Sequence, residues 1–210
     1  MVAVTRVGQS AVWADPDPAG LDAAVAAAGD ALDLRIRADP ARIWADVGFT
    51  ALAADELVRP LPQVTDSVAA TRDVGHRLAG LLRAGDLVLL TGPLGAGKTA
   101  FAQGIGAGLG VTGPVTSPTF VLARVHGGAL PMVHVDAYRL RDSGTPWREL
   151  DDLDLEASLG DSVTVVEWGE GIAEGLAESR LEVELTRDDA GHPDRRTVRV
   201  RPVGERWALG

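Results

Sequence analysis

The sequence predicts an α/β protein in which a mostly parallel sheet is flanked by helices, and three observations carry that expectation. Asp86–Leu90 is a short, almost wholly apolar run of the kind that forms a buried parallel strand. It leads without a break into the glycine-rich segment Gly92-Pro-Leu-Gly-Ala-Gly-Lys-Thr99. Phe101, Ile105 and Leu109 then recur every four residues, which is the spacing of a helix running to about Gly110. Gly104, Gly106 and Gly108 lie inside that helix and would weaken it in isolation.

The remaining elements follow from the same signals. Residues 1–60 read as a small, mainly helical N-terminal appendage: an alanine-rich stretch Leu21–Leu32, then the strand-like segment Arg42–Phe49. Arg59-Pro-Leu-Pro62 is a stiff extended joint, because each proline biases the preceding residue away from helix. The main domain is therefore expected over 61–210. Thr65 or Ser67 caps a helix whose face carries Val74, Leu78, Leu81 and Leu82, and Gly85 ends it. Further strands are expected at Thr119–Val125, Leu130–Val135 and Ser162–Val166. Leu181–Leu185 and Thr197–Arg201 form a C-terminal antiparallel pair, with Arg199 and Arg201 on its solvated face. The acidic stretch Glu149–Glu156 reads as a surface helix or turn.

Composition narrows the function classes. The 210-residue chain is 46% hydrophobic, enough for one sizeable core. It has no cysteine, so disulfides, thiolate metal ligands and cysteine nucleophiles are excluded. The formal charge of −10 repels phosphate backbones, so any RNA is expected to be held by a partner. No basic leader and no apolar run of membrane-spanning length is present, and a soluble cytoplasmic protein without membrane contact is the default expectation.

Gly92, Gly97, Lys98 and Thr99 satisfy the spacing G-x-x-x-x-G-K-[ST], with a strand before and a helix after, as a P-loop NTPase-like fold requires. Gly92, Gly95 and Gly97 leave the backbone bare, so successive N–H groups of the loop, including those of Leu94 and Ala96, can approach phosphate oxygens; Pro93 has none to give. Lys98 is the chain's one lysine, a compact ammonium where every other basic residue is arginine, and it is expected to reach the β- and γ-phosphates. The Thr99 hydroxyl is expected to ligate Mg²⁺. The cofactors read from this loop are ATP and Mg²⁺.

Such a site also needs carboxylates at strand ends. Glu167 follows Thr164-Val-Val166, and Asp136 follows Met132-Val-His-Val135; both are candidates for catalysis and for the metal. His134 alternates with Asp136 and could hold it by a hydrogen bond, as a satisfied structural histidine rather than a ligand or proton carrier. Trp168 either covers the nucleotide or caps the core, and Ser117-Pro-Thr-Phe120 is either a γ-phosphate-sensing loop or a proline turn. The residues by themselves leave both pairs open.

The ordered series Gly92–Thr99, Ser117–Phe120, His134-x-Asp-x-Tyr-Arg-Leu140, Glu149-Leu150 and Val166-Glu-Trp168 resembles the TsaE (YjeE) family of bacterial ATPases over about Thr65–Arg201. The resemblance implies a Mg-dependent ATP hydrolase that works with TsaD and TsaB homologues. That complex forms N6-threonylcarbamoyladenosine in tRNAs reading codons that start with adenine, with tRNA contacted indirectly. It further implies that Glu167 is metal-linked, that Asp136 is needed for activity, and that Trp168 lies beside the nucleotide. The resemblance also implies that an arginine of the Arg195-Arg196 pair, taken as Arg196, reaches the nucleotide. Family members often carry Asp where this chain has Pro93, and residues 1–60 lie outside the resemblance. Two rival readings are a small-molecule kinase, for which no clear lid segment is visible, and a GTP-dependent switch. The switch would need an Asn-Lys-x-Asp motif, and the chain has no asparagine.

Overall fold

A computed structural model describes residues 4–13, 18–37, 50–53, 56–142, 160–188 and 191–208. The expected elements at Arg42–Phe49 and Glu149–Glu156 lie outside the described residues. The chain divides into two compact units, Met1–Gln63 with Arg199–Gly210, and Val64–Val198.

The first unit is a sheet of five strands: β1 (Val4–Val7), β2 (Ser10–Trp13), β3 (Asp33–Arg37), β4 (Thr50–Ala53) and β5 (Glu56–Pro60), in the order β1-β2-β3-β5-β4. Among the described strands of this unit, β2 and β3 alone pair in parallel, and helix α1 (Leu21–Ala28) lies in the crossover between them. Where a mainly helical appendage is expected from the alanine-rich stretch, the described residues form a sheet with one α-helix. The strand signal is the alternation at Asp33–Arg37. Leu34 and Ile36 enter the core with Trp13 and Leu21, whereas Arg35 points to the other face. Arg35 escapes a polarity-based reading because it is buried yet fully paired. Its guanidinium donates to Asp33 Oδ1 at 3.0 Å, Asp33 Oδ2 at 3.2 Å, Glu56 Oε1 at 3.0 Å and the carbonyl of Trp207. Burial opposes its charge, but Asp33 and Glu56 outweigh that effect and hold its pKa above the ordinary value.

The second unit carries most of a seven-stranded sheet, of which Gln63 and residues 199–203 fall in the first unit. Its strands are β6 (Gln63–Thr65), β7 (Leu87–Thr91), β8 (Ala123–His126), β9 (Met132–Asp136), β10 (Val163–Glu167), β11 (Arg180–Arg187) and β12 (Arg196–Val203). They run in the order β6-β12-β11-β7-β10-β9-β8. β7 is central and pairs in parallel with both β10 and β11, and β9 continues the parallel block beside β10. Leu87, Val88, Leu89 and Leu90 are all fully buried, which explains the unbroken apolar run of this strand. β11 and β12 are adjacent and joined by the eight residues between them, too few for a parallel crossover, so they form a hairpin. Arg199 and Arg201 on β12 are exposed while Val198 and Val200 are buried, as the alternation predicts.

Helix α2 (Val68–Ala79) is capped by Ser67, whose Oγ accepts from Ala70 N at 3.1 Å, and Gly80 ends it, five residues earlier than the Gly85 stop read from sequence. Helix α3 (Lys98–Gly108) packs closely on α2. The closeness is set by glycine. A Cβ on Gly104 would collide with the Arg72 carbonyl oxygen and lie 2.8 Å from its carbon. A Cβ on Gly108 would lie 2.5 Å from that of Ala79, and one on Gly75 would strike the Phe101 carbonyl. The glycines that cost α3 intrinsic helicity are the contact surface of the helix pair. β8 begins four residues later than expected, because Pro118 to Leu122 turns, with Leu122 N donating to Pro118 O at 2.8 Å and Leu122 at φ +65°.

Candidate functional site

The parallel block β11-β7-β10-β9 brings its C-terminal strand ends to one edge, and the sequence motifs converge there. A cleft of about 490 Å³ opens at this edge, lined by Leu94, Gly95, Gly97, Lys98, Thr99, Ala100, Ser117, Thr119, Asp136, Tyr138, Glu167 and Trp168. Small-molecule sites occupy about 300–1,000 Å³.

The loop from β7 to α3 owes its shape to glycine at two positions above all. Gly92 has φ +132°, and a Cβ there would collide with the Leu185 carbonyl oxygen of β11. Gly97 has φ +101° and stands at the N-terminus of α3 with no side chain capping it. The first N–H groups of α3 and its positive dipole end are therefore left for a ligand in the cleft. Leu94 is 79% exposed on the loop, and Ala96 is buried beneath it. Pro93, which offers no N–H, accepts through its carbonyl from Ala96 N at 3.1 Å.

Lys98 is 4% exposed, and its Nζ donates to the carbonyls of Gly92 at 2.7 Å and Pro93 at 3.0 Å. The ammonium also sits 3.5 Å from the centre of the Trp168 ring. Burial pushes the Lys98 pKa below its ordinary value; the charges of Glu167 and Asp136 oppose that shift, and Arg141 reinforces it.

Thr99 Oγ1 donates to Glu167 Oε2 at 3.1 Å, and the other carboxylate oxygen, Oε1, is 2.9 Å from His134 Nε2. Asp136 is engaged differently. Its Oδ2 accepts from Ser117 Oγ and Thr119 Oγ1, both at 2.6 Å, and its Oδ1 accepts from Tyr138 N at 3.0 Å. The expected His134–Asp136 hydrogen bond is therefore replaced by His134–Glu167. Strand register explains this: Glu167 pairs with Asp136 and Val165 with His134, so the histidine lies diagonally across from the glutamate on the neighbouring strand. Strand-neighbour order is invisible in a single sequence.

Trp168, half-buried, lines the cleft rather than closing the core. Its φ of +62° is a strained setting for a non-glycine residue, fixed by Trp168 N donating to Leu90 O at 3.0 Å. Tyr138 packs 5.2 Å from it, and the Arg141 guanidinium stands 5.4 Å over its ring. The sequence reading passed over Arg141. The signal was its spacing of three from Tyr138, which one turn of the 3₁₀ segment Tyr138–Asp142 converts into one shared side. Arg196 donates to Gly95 O at 3.2 Å and to Pro193 O at 2.5 Å, and so bridges the β11–β12 connection and the loop.

The donor set suits a hard divalent cation. Thr99 and Glu167 present oxygen side by side, and among the described residues no group of three His, Cys, Asp or Glu could hold a metal without other donors. Mg²⁺ is characteristically held by one or two protein oxygens plus phosphates and water.

A parallel sheet whose central strand feeds a glycine loop and a helix led by Lys-Thr, with a carboxylate at the next strand end, defines a P-loop protein. Comparison with known proteins narrows the class. The sequence model of the family described as "Threonylcarbamoyl adenosine biosynthesis protein TsaE" matches residues 65–198, and the chain belongs to that family. Similar proteins named "tRNA threonylcarbamoyladenosine biosynthesis protein TsaE" occur in several bacteria. That of Streptomyces coelicolor is 57% identical over 141 residues, covering 65% of this chain and 93% of its own length. The Bacillus subtilis protein is 38% identical over 141 residues, covering 66% and 84%. The crystal structure of Bacillus subtilis YdiB superposes with a TM-score of 0.56 at 32% identity, covering 70% of this chain and 88% of that one. Among the described residues no helix is long and apolar enough to cross a membrane.

Proposed function

We propose that this chain is a Mg-dependent ATPase that binds and hydrolyses ATP in the cleft. Its partners would be TsaD and TsaB homologues, which form N6-threonylcarbamoyladenosine in tRNAs reading codons that start with adenine. The observation that carries the reading is the convergence of Lys98, Thr99, Glu167 and Asp136 on one cleft beneath an uncapped helix N-terminus. The pathway rests on family membership and on the printed names of the relatives. A net charge of −10 fits a subunit that leaves tRNA to its partners in the cytoplasm.

The chain's residues divide the work. The backbone from Gly92 to Thr99 cradles the phosphates, and the Lys98 ammonium exchanges its carbonyl partners for β- and γ-oxygens. Thr99 and Glu167 hold Mg²⁺, with Asp136 close by. The cation, when bound, neutralises charge developing on the phosphate oxygens. Asp136 ties the Ser117–Thr119 segment to the edge of the cleft and positions water there, while Trp168 and Arg196 flank the nucleotide. Catalysis of this kind is electrostatic and positional, and slow turnover is expected from the free subunit.

The test is calorimetric titration of ATP, with and without Mg²⁺, into the full chain and its Lys98→Ala and Thr99→Val variants. The reading predicts that Lys98→Ala loses binding altogether and that Thr99→Val loses the gain due to Mg²⁺. ATP binding unaffected by Lys98→Ala would remove the cleft as the nucleotide site.

A further inference from the structure

We propose that His134 is a positioning residue: its imidazole aims the Glu167 carboxylate at Thr99 Oγ1 and thereby sets the affinity of the site for Mg²⁺. This rests on the nucleotide and metal reading above and adds to it a residue that touches neither nucleotide nor metal.

Glu167 ends β10 with 3% of its surface exposed, and the terminal torsion of a glutamate is broad, so one contact would not fix its two oxygens. Two contacts on opposite oxygens do. Oε2 accepts from Thr99 Oγ1 at 3.1 Å, and Oε1 faces His134 Nε2 at 2.9 Å. A carboxylate only accepts, so Nε2 carries the hydrogen and donates. The ring itself cannot swing away, because His134 is 0% exposed and lies within β9, pinned between β8 and β10.

Its other nitrogen, Nδ1, is buried and has no hydrogen-bond partner among the described residues. Among the described residues, the side-chain hydrogen bond that His134 makes is the one to Glu167. The ring of His126 has its centre 6.2 Å away, and among the described residues no contact of His126 with Glu167 is seen. The carboxylate thus has one partner on the phosphate-loop helix and one in the sheet, the second held by the strands on either side of β9. The buried imidazole in the sheet sets the direction in which Oε2 points.

The experiment compares His134→Gln with His134→Asn in the full chain. Glutamine carries an N–H about where Nε2 lies, whereas the shorter asparagine places its N–H near the Nδ1 position and cannot reach Oε1. Both variants are polar, but asparagine is the less favourable of the two in a strand, so thermal unfolding of each is measured to check that it folds. Two quantities are read: ATP affinity in chelator, and the Mg²⁺ concentration that half-saturates the metal-dependent gain in that affinity. Partners that orient metal ligands are worth about ten- to a hundredfold in metal affinity. His134→Asn is expected to raise the Mg²⁺ midpoint by that factor while leaving affinity in chelator unchanged, and His134→Gln is expected to restore most of it. Equal Mg²⁺ midpoints for the two variants, or a loss of metal-free affinity of the same size, would overturn the inference. A wild-type chain with no Mg²⁺-dependent gain would instead refute the metal reading on which the inference rests.

Discussion

Gly104→Ala separates two opposing physical effects on α3. By intrinsic propensity the change should stabilise a helix interior by about 1 kcal/mol. In this fold the added methyl meets the Arg72 carbonyl, with its carbon at 2.8 Å, on the facing helix α2. That obstacle is backbone and cannot rotate away, so α2 and α3 must separate or tilt. Overpacking of this sort costs about 1–3 kcal/mol, and the backbone contact places Gly104 at the upper end. The net expectation is destabilisation of about 2 kcal/mol. Gly80→Ala is the control: Gly80 has φ −64°, and a Cβ there would sit 3.4 Å from Arg77 O, in ordinary contact. That change should be neutral or stabilise by up to about 1 kcal/mol through the unfolded chain. Urea unfolding of both variants, followed by the tryptophan signal, gives the two midpoints. A Gly104→Ala protein as stable as Gly80→Ala would refute the claim that glycine sets the α2–α3 approach.

Other expectations follow from single contacts. Arg35→Ala leaves Asp33 and Glu56 buried without their cation, and a loss of about 3–5 kcal/mol is expected in thermal or urea unfolding. The Lys98 pKa is lowered in the free protein, and a triphosphate beside Nζ raises it, so binding takes up a proton in the alkaline window below the ordinary 10.5. ATP affinity should therefore fall as pH rises through that window, and calorimetry in buffers of different ionisation enthalpy reads the proton directly. Asp136→Ala releases Ser117 and Thr119, so it is expected to lower turnover more than Mg²⁺ affinity, with Glu167→Ala showing the reverse; metal titrations and initial rates distinguish them.

The parts of this fold that were legible in the sequence are those with local causes. Asp86–Leu90 reads as a buried strand because a central parallel strand needs apolar residues on both faces. The loop Gly92–Thr99 reads as a phosphate cradle because its geometry demands glycine at fixed spacing. What failed had non-local causes. Arg35 looks like a surface residue until Asp33, Glu56 and the Trp207 carbonyl are brought around it, the last from 172 positions away. Gly104 and Gly108 look like helix breakers until α2 is laid against them. His134 looks like a partner of its strand-mate Asp136 until β10 is placed beside β9.

Nucleotide chemistry in this cleft is proposed to serve the tRNA-modifying partnership. The deciding experiment is the rate of Mg²⁺-dependent ATP hydrolysis by the full chain and by Lys98→Ala, alone and with TsaD, TsaB and tRNA. Hydrolysis that disappears in Lys98→Ala and changes when the partners are added is the predicted result. A rate indifferent to Lys98, or a Lys98-dependent rate that ignores the partners, would contradict the account, the first at the site and the second at the pathway.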